Sequence, residues 1–163
     1  FPAVNFEQVQ ALIRDVKYPP LGRRTYGVNR AQAYGFDFEA YIHNWNETST
    51  FMIQIESIMG VENINQLLSF DEVDGVMVGP LDIAGSLGVP GQPTHPLVIE
   101  ASRKVIAACE RHGKSCGTQV ADATPDSVKA LFELGHNYAI LGSDLFVLWK
   151  WAAQMQEMMK KMR

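Results

Sequence analysis

The chain has 163 residues, 47% of them hydrophobic and 20% charged, with a formal net charge of −4. That length is one domain's worth of chain and supports a sizeable core. The mild acidity, with no basic stripe interleaved with aromatics, argues against a nucleic-acid surface; no apolar run reaches membrane-spanning length and no signal peptide is visible.

In chain order, residues 1–4 read as the tail of a strand. Asn5 is placed to cap a helix, with Glu7 in the first turn and Val9, Leu12, Ile13 and Val16 at helical spacing. Tyr18-Pro19-Pro20-Leu21-Gly22 stops that helix, because proline cannot continue it. Arg23 and Arg24 follow in a loop. A guanidinium there matches a substrate carboxylate; the competing reading is a structural pair or a subunit contact. Residues 28–45 have the pattern of one helix with an aromatic stripe of Tyr34, Phe36, Phe38, Tyr41 and Trp45, which points to core or subunit interface. His43 reads as a surface or capping residue, and residues 44–50 as a polar loop.

The densest signal lies in residues 51–91, FMIQIESIMGVENINQLLSFDEVDGVMVGPLDIAGSLGVPG. Residues 51–56 form a near-continuous apolar run ending in Glu56, as in a parallel strand buried on both faces. Residues 60–70 carry Val61, Ile64, Leu67, Leu68 and Phe70 near helical spacing. A second strand, 75–79, closes at Gly79-Pro80, with Asp82 just beyond. In a parallel βαβ unit the carboxyl ends of neighbouring strands lie side by side on the ligand face, so Glu56 and Asp82 should converge. Two converging carboxylates repel unless a hard divalent cation such as Mg²⁺ or Mn²⁺ holds them. The alternative is a surface acid at a strand end and a helix N-cap.

Residues 84–93 form a Gly/Pro-rich loop long enough to overhang the mouth, but its spacing fits no phosphate-binding fingerprint. His95-Pro96 opens a helix over 97–112, and His112-Gly113 ends it. Cys109 and Cys116 suit two buried free thiols in a reducing cytosol better than a disulfide or a metal pair. Residues 115–120 form a strand whose end, Thr118-Gln119-Val120, faces the same mouth. Thr124-Pro125 opens the next helix, to Leu134, and Gly135 closes it. Residues 138–142 are the last strand, and Ser143-Asp144 cap the final helix. His136 is expected exposed, on a connection away from the mouth. The final helix, 145–162, is amphipathic, with Leu148, Trp149, Ala152, Met155, Met159 and Met162 on one stripe and basic residues at its end.

The runs IQIES and VDGVMVGPLDIAGSLGVPGQPTHPLV, with YPPLGRR upstream and CGTQ and NYAILGSD downstream, resemble the HpcH/HpaI aldolases, class II pyruvate-type aldolases that include hydroxyheptenedioate aldolase and macrophomate synthase. The resemblance covers essentially the whole chain. It implies a (β/α)₈ TIM barrel, an α/β fold of which residues 1–163 are the C-terminal part, from the end of strand 4 through helix 8. It implies Glu56 and Asp82 as metal ligands for Mg²⁺ or Mn²⁺, with Co²⁺ or Zn²⁺ as alternatives. Gln54 would support the metal-bound water and substrate. The backbone of the Gly79–Asp82 turn would hold the carboxylate of a 2-oxo acid, with N–H groups from Leu81 and Asp82 and none from Pro80. Near Gln119 the family often carries an apolar residue, so its amide hints at a more polar aldehyde.

The resemblance also places a proton-relay His and an enolate-binding Arg upstream of Phe1. This favours the structural reading of Arg23 and Arg24, as the family's unused His-Pro does for His95. It implies a cytoplasmic homo-oligomer of hexamer type, with the terminal helix, 145–163, exchanged between subunits. The activity implied is cleavage of 4-hydroxy-2-oxo acids to pyruvate and an aldehyde, or decarboxylation of oxaloacetate. Two alternatives stand beside it: a citrate lyase or malyl-CoA lyase type of enzyme using a CoA thioester, and a non-catalytic half-barrel that binds a metal or partner.

Overall fold

The computed structural model describes residues 1–162. Four strands, β1 (Met52–Ile55), β2 (Gly75–Val78), β3 (Ser115–Val120) and β4 (Tyr138–Leu141), form one sheet in the order β1-β2-β3-β4. Every pairing is parallel, with Gln54 opposite Met77, Met77 opposite Gly117 and Gly117 opposite Tyr138. Residues 1–3 add a strand tail on the free side of β1: Pro2 bridges Gln54 in parallel, and the Ala3 N–H donates to Gln54 O at 3.1 Å. Sequential parallel strands joined by helical crossovers are the repeating unit of a (β/α)₈ barrel, and the four present are a partial one.

One face of this sheet is packed by helices. Ile53, Ile55, Val76 and Val78 are at most 1% exposed. They meet Val9 and Ile13 of α1 (Phe6–Val16), Ile64 and Leu67 of α4 (Ile64–Leu67), and Val98, Ala101 and Val105 of α6 (Pro96–His112) in one continuous cluster. Burying each large side chain contributes roughly 1.5–3 kcal/mol before chain entropy is counted. The caps follow the sequence. Asn5 accepts from the Gln8 N–H, His95 Nδ1 accepts from the Leu97 N–H, and Thr124 caps α7 (Pro125–Leu134) reciprocally with Ser127. The cap at His95 gives that imidazole a structural role.

The expected helix over 28–45 does not form as one piece. A short 3-10 segment, Arg30–Gly35, turns left-handed at Ala33 (φ 48°) and Tyr34 (φ 56°), and α2 then runs over Phe38–Thr48, through most of the expected 44–50 loop. The Asn29–Gln32 capping box binds the short segment to itself, and the left-handed residues break helical propagation. Its aromatics divide accordingly: Tyr34 and Phe36 are exposed, whereas Trp45 stacks on Tyr41 and holds the Arg24 guanidinium 4.1 Å from its ring. Arg23 pairs with Asp15. Both arginines therefore have structural partners.

The expected 60–70 helix is likewise two short ones, α3 (Ile58–Glu62) and α4, parted at Asn63, whose side-chain amide donates to Val4 O at 2.8 Å. His136, expected exposed, is buried. It follows α7, with its ring beside the Cys116 thiol of β3 and lining a cavity between α6 and α7. Helix α8 (Asp144–Lys161) closes the chain with Leu145, Leu148, Trp149 and Trp151 exposed. Among the described residues no helix is long and apolar enough to cross a membrane.

Candidate active site

The strand period of two decides which side chains leave the helix-packed face. Ile53 and Ile55 point to the core, so Gln54 and Glu56 share the opposite face. Both are half-buried there, and the Gln54 Nε2 donates to Glu56 Oε2 at 2.6 Å. This charge-assisted bond fixes one carboxylate oxygen and leaves the other for a ligand.

Across the ladder stands Gly79, whose N–H donates to Ile55 O at 2.8 Å. A Cβ at Gly79 would sit 2.9 Å from the Glu56 Cβ. The absence of a side chain is thus what lets the Glu56 stem lie against β2. Because the Gly79 amide is already engaged, its contribution to the turn is this space.

Pro80 then starts α5 (Pro80–Ser86), a helix where the sequence suggested loop from residue 84. Its fixed φ and missing N–H suit the first helical position. The next two amides, of Leu81 and Asp82, have no acceptor among the described residues, as expected for the first turn of a helix. Asp82 lies in that turn, solvent-exposed. Glu56 and Asp82 are therefore brought to the carboxyl ends of the adjacent strands β1 and β2.

A cavity of about 160 Å³ opens at this end, lined by Gln54, Gly79, Leu81, Asp82, Gln119 and Phe146, among others. Gln119 is held in place by its own amide, whose Nε2 donates to Gly142 O at 3.1 Å. Its Oε1 is left as an acceptor. Thr118, its neighbour, turns its hydroxyl to Val78 O at 2.7 Å and ties β3 to β2. Phe146 is the residue that sequence reasoning missed. It lies in the first turn of α8, directly after β4, and the rule that ligands sit where strands end and helices begin was the signal that points to it.

The donor set suits a hard cation. Glu56 and Asp82 offer carboxylate oxygens at an open mouth, and Mg²⁺ or Mn²⁺ is commonly held by one or two carboxylates with water or substrate completing the shell. The described residues contain no group of three or more His, Cys, Asp and Glu side chains arranged to hold a metal, so a closed structural site of the zinc kind does not fit.

Known proteins place the chain. A profile of the HpcH/HpaI aldolase/citrate lyase family matches residues 1–150. The chain is 36% identical over 140 residues to a 5-keto-4-deoxy-D-glucarate aldolase of Salmonella paratyphi C, covering 85% of this chain and 54% of that protein. Among solved structures it is similar to an HpcH/HpaI aldolase from Desulfitobacterium hafniense, with a TM-score of 0.83 and 28% identity over 98% of this chain and 62% of that one. The fold is shared with macrophomate synthase at a TM-score of 0.74 and 23% identity, over 99% of this chain and 58% of that one. The chain spans about half the length of the curated relatives it matches. The partial parallel barrel, the strand-end glutamate and the Gly-Pro-Leu-Asp turn thus have a shared origin: the chain belongs to the HpcH/HpaI aldolase/citrate lyase family.

Proposed function

We propose that this chain carries the metal- and carboxylate-binding part of a carbon–carbon lyase that cleaves 4-hydroxy-2-oxo acids to pyruvate and an aldehyde. The observation that carries the reading is the Gln54–Glu56 hydrogen bond beside Gly79, at the strand end next to the turn that bears Asp82. It holds a carboxylate in a fixed orientation where a cation is needed. When bound at Glu56 and Asp82, a divalent cation supplies Lewis-acid stabilisation of negative charge developing on the 2-oxo group.

The chain's own residues do the rest of the positioning. Gln54 orients Glu56. The Leu81 and Asp82 amides receive the substrate carboxylate in the first turn of α5. Gln119 Oε1, with Phe146 beside it, faces the departing aldehyde and accepts a hydrogen bond from a polar one. The substrate named for the Salmonella relatives, 5-keto-4-deoxy-D-glucarate, has the required form. Counted from its keto end it is a 4-hydroxy-2-oxo acid. Loss of the hydroxyl proton and breakage of the adjoining C–C bond yield a three-carbon aldehyde acid, and protonation of the enolate carbon yields pyruvate. Decarboxylation of oxaloacetate follows the same electron flow: the C–C bond to the distal carboxylate breaks, CO₂ leaves, and protonation of the same enolate yields pyruvate. The exposed apolar residues of α8, Leu148 and Trp149 among them, are assigned to contact with a second copy of the chain, giving a cytoplasmic homo-oligomer.

The test is pyruvate release by the full-length protein from 5-keto-4-deoxy-D-glucarate and from oxaloacetate, with Mg²⁺ or Mn²⁺ and with EDTA. Turnover should be abolished by EDTA and fall at least about a hundredfold in Glu56→Gln and in Asp82→Asn, the scale of losing one preorganised electrostatic contact in a transition state. Metal-independent turnover overturns the mechanism. Turnover only with a CoA thioester moves the protein to the citrate-lyase branch, and none with any of these substrates leaves a binding role.

A further inference from the structure

At the opposite end of the sheet from Glu56, the sequence places two cysteines where α6 ends and β3 begins. Cys109 is in the last turn of α6 and Cys116 is the second residue of β3. The connection between them is short, and the Lys114 N–H donates back to Cys109 O at 2.9 Å. Both thiols are free, 1% and 3% exposed. Thiols so buried are normally inert.

Two features set this pair apart. A cavity of about 440 Å³ on the side of α6 is lined by both cysteines together with Lys114 and Glu110. Behind Cys116 lies the buried His136, its Nδ1 3.7 Å from the Cys116 Sγ. None of these groups touches the proposed catalytic mouth.

We propose that Cys109 and Cys116 are a peroxide-oxidisable dithiol, converted to an intrachain disulfide by a peroxide entering this cavity, with His136 as the base for the second step. The Cys109 thiolate attacks one peroxide oxygen, the O–O bond breaks, and the departing hydroxide takes a proton to leave as water. Cys109 is then a sulfenic acid. The Cys116 sulfur gives its proton to His136 Nδ1 and attacks the Cys109 sulfur. Hydroxide departs, takes that proton and becomes a second water. In sum, two thiols and one hydrogen peroxide give one disulfide and two waters; two sulfurs are oxidised and two oxygens reduced.

The order of attack follows from the contacts. The neighbouring Cys116 thiol lowers the pKa of Cys109 against the opposing effect of burial, while the Cys109 thiol and burial push the Cys116 thiol up. His136 lies against Cys116, which puts the base at the sulfur that closes the disulfide and leaves Cys109 as the sulfur that meets the peroxide. Burial keeps His136 below its ordinary pKa and therefore neutral, as a base must be.

The full-length protein is exposed, folded, to hydrogen peroxide, then denatured, alkylated with iodoacetamide and digested with trypsin. Cleavage after Lys104, Arg111, Lys114 and Lys129 separates the two cysteines into peptides 105–111 and 115–129. These should be alkylated separately before treatment, disulfide-joined after it, and separate again after dithiothreitol. In Cys116→Ser, dimedone should trap a sulfenic acid on Cys109; in Cys109→Ser, labelling of Cys116 should be about tenfold slower or more. His136→Gln should slow disulfide closure about tenfold or more, the scale of a lost general base, without slowing dimedone labelling of Cys109 in the Cys116→Ser background. The wild-type arm decides the proposal by itself, so it does not depend on the variants folding. Full alkylation of both cysteines after peroxide, oxidation to sulfinic acid without a cross-link, or a cross-link only between chains overturns it.

Discussion

The two faces of the four-stranded sheet are built from alternate residues of the same strands, yet they obey different rules. The helix-packed face is aliphatic and closed: Ile53, Ile55, Val76 and Val78 are all at most 1% exposed. The opposite face carries Gln54, Glu56 and Gln119, half-buried and hydrogen-bonded, and Ile140, which is 39% exposed. Glycines recur on it where a neighbour's side chain crosses. A Cβ at Gly117 would meet the Tyr138 ring at 2.6 Å, as one at Gly79 would meet Glu56. One face is organised by apolar burial and tolerates no lost volume; the other is organised by the placement of a few polar groups and tolerates no added volume. Stability and chemistry are separated by a single residue step along the chain.

Volume changes on each face should break this division differently. Ile53→Ala, on the closed face, should cost about 2–5 kcal/mol of unfolding free energy in a denaturant titration, because it combines lost burial with a residual cavity. The surviving folded fraction should keep its kcat. Gly79→Ala, on the open face, should do the reverse. Its new Cβ displaces the Glu56 stem, so kcat/KM should fall about a hundredfold, as for an ångström-scale misplacement, with a stability loss of about 1 kcal/mol. An Ile53→Ala protein that stays as stable as wild type, or a Gly79→Ala protein with undiminished turnover, contradicts the assignment of the faces.

Much of this architecture was legible because its signals are local. Asn5, His95-Pro96 and Thr124-Pro125 mark helix starts with their own side chains and rings, and each start is found within a residue of its mark. The 51–56 and 75–79 runs locate β1 and β2, and with them Glu56 and the turn before Asp82. What was not legible depends on distant partners. Gly35 marks a left-handed position, but Ala33 and Tyr34 before it carry no such mark, since alanine and tyrosine rarely adopt one. Asn63 parts α3 from α4 by reaching Val4, 59 residues back. The strand period puts Gln54 and Glu56 on one face, but that the amide faces the carboxylate and not water required the structure. His136 is the clearest case. Its flanking Gly135 and Asn137 read as an exposed connection, and its burial comes from its position beside Cys116 of β3, at the cavity between α6 and α7.

That buried ring gives the smallest predicted effect and one that tests the closed face where it is least apolar. His136 lines a cavity between α6 and α7 whose other lining residues, Ile99, Ser102 and Leu131 among them, carry no charge. The Cys116 thiol lies 3.7 Å from its Nδ1. Burial lowers the folded-state pKa, with a smaller opposing contribution from hydrogen bonding at Cys116. In the unfolded chain the ring titrates near the ordinary histidine value of about 6.5. Below that pH the unfolded state binds a proton that the folded state refuses, so the derivative of unfolding free energy with pH is positive there. The stability that the neutral ring permits is thus fully present above pH ~6.5 and is lost as pH falls through the depressed folded value. Thermal unfolding followed from pH 8 downwards should show the melting temperature dropping as the pH falls below about 6.5, and His136→Gln should flatten that part of the profile relative to wild type. An unchanged slope in His136→Gln would mean that the ring is hydrated in solution, and that the α6–α7 layer is not closed in the way the β1–β2 layer is.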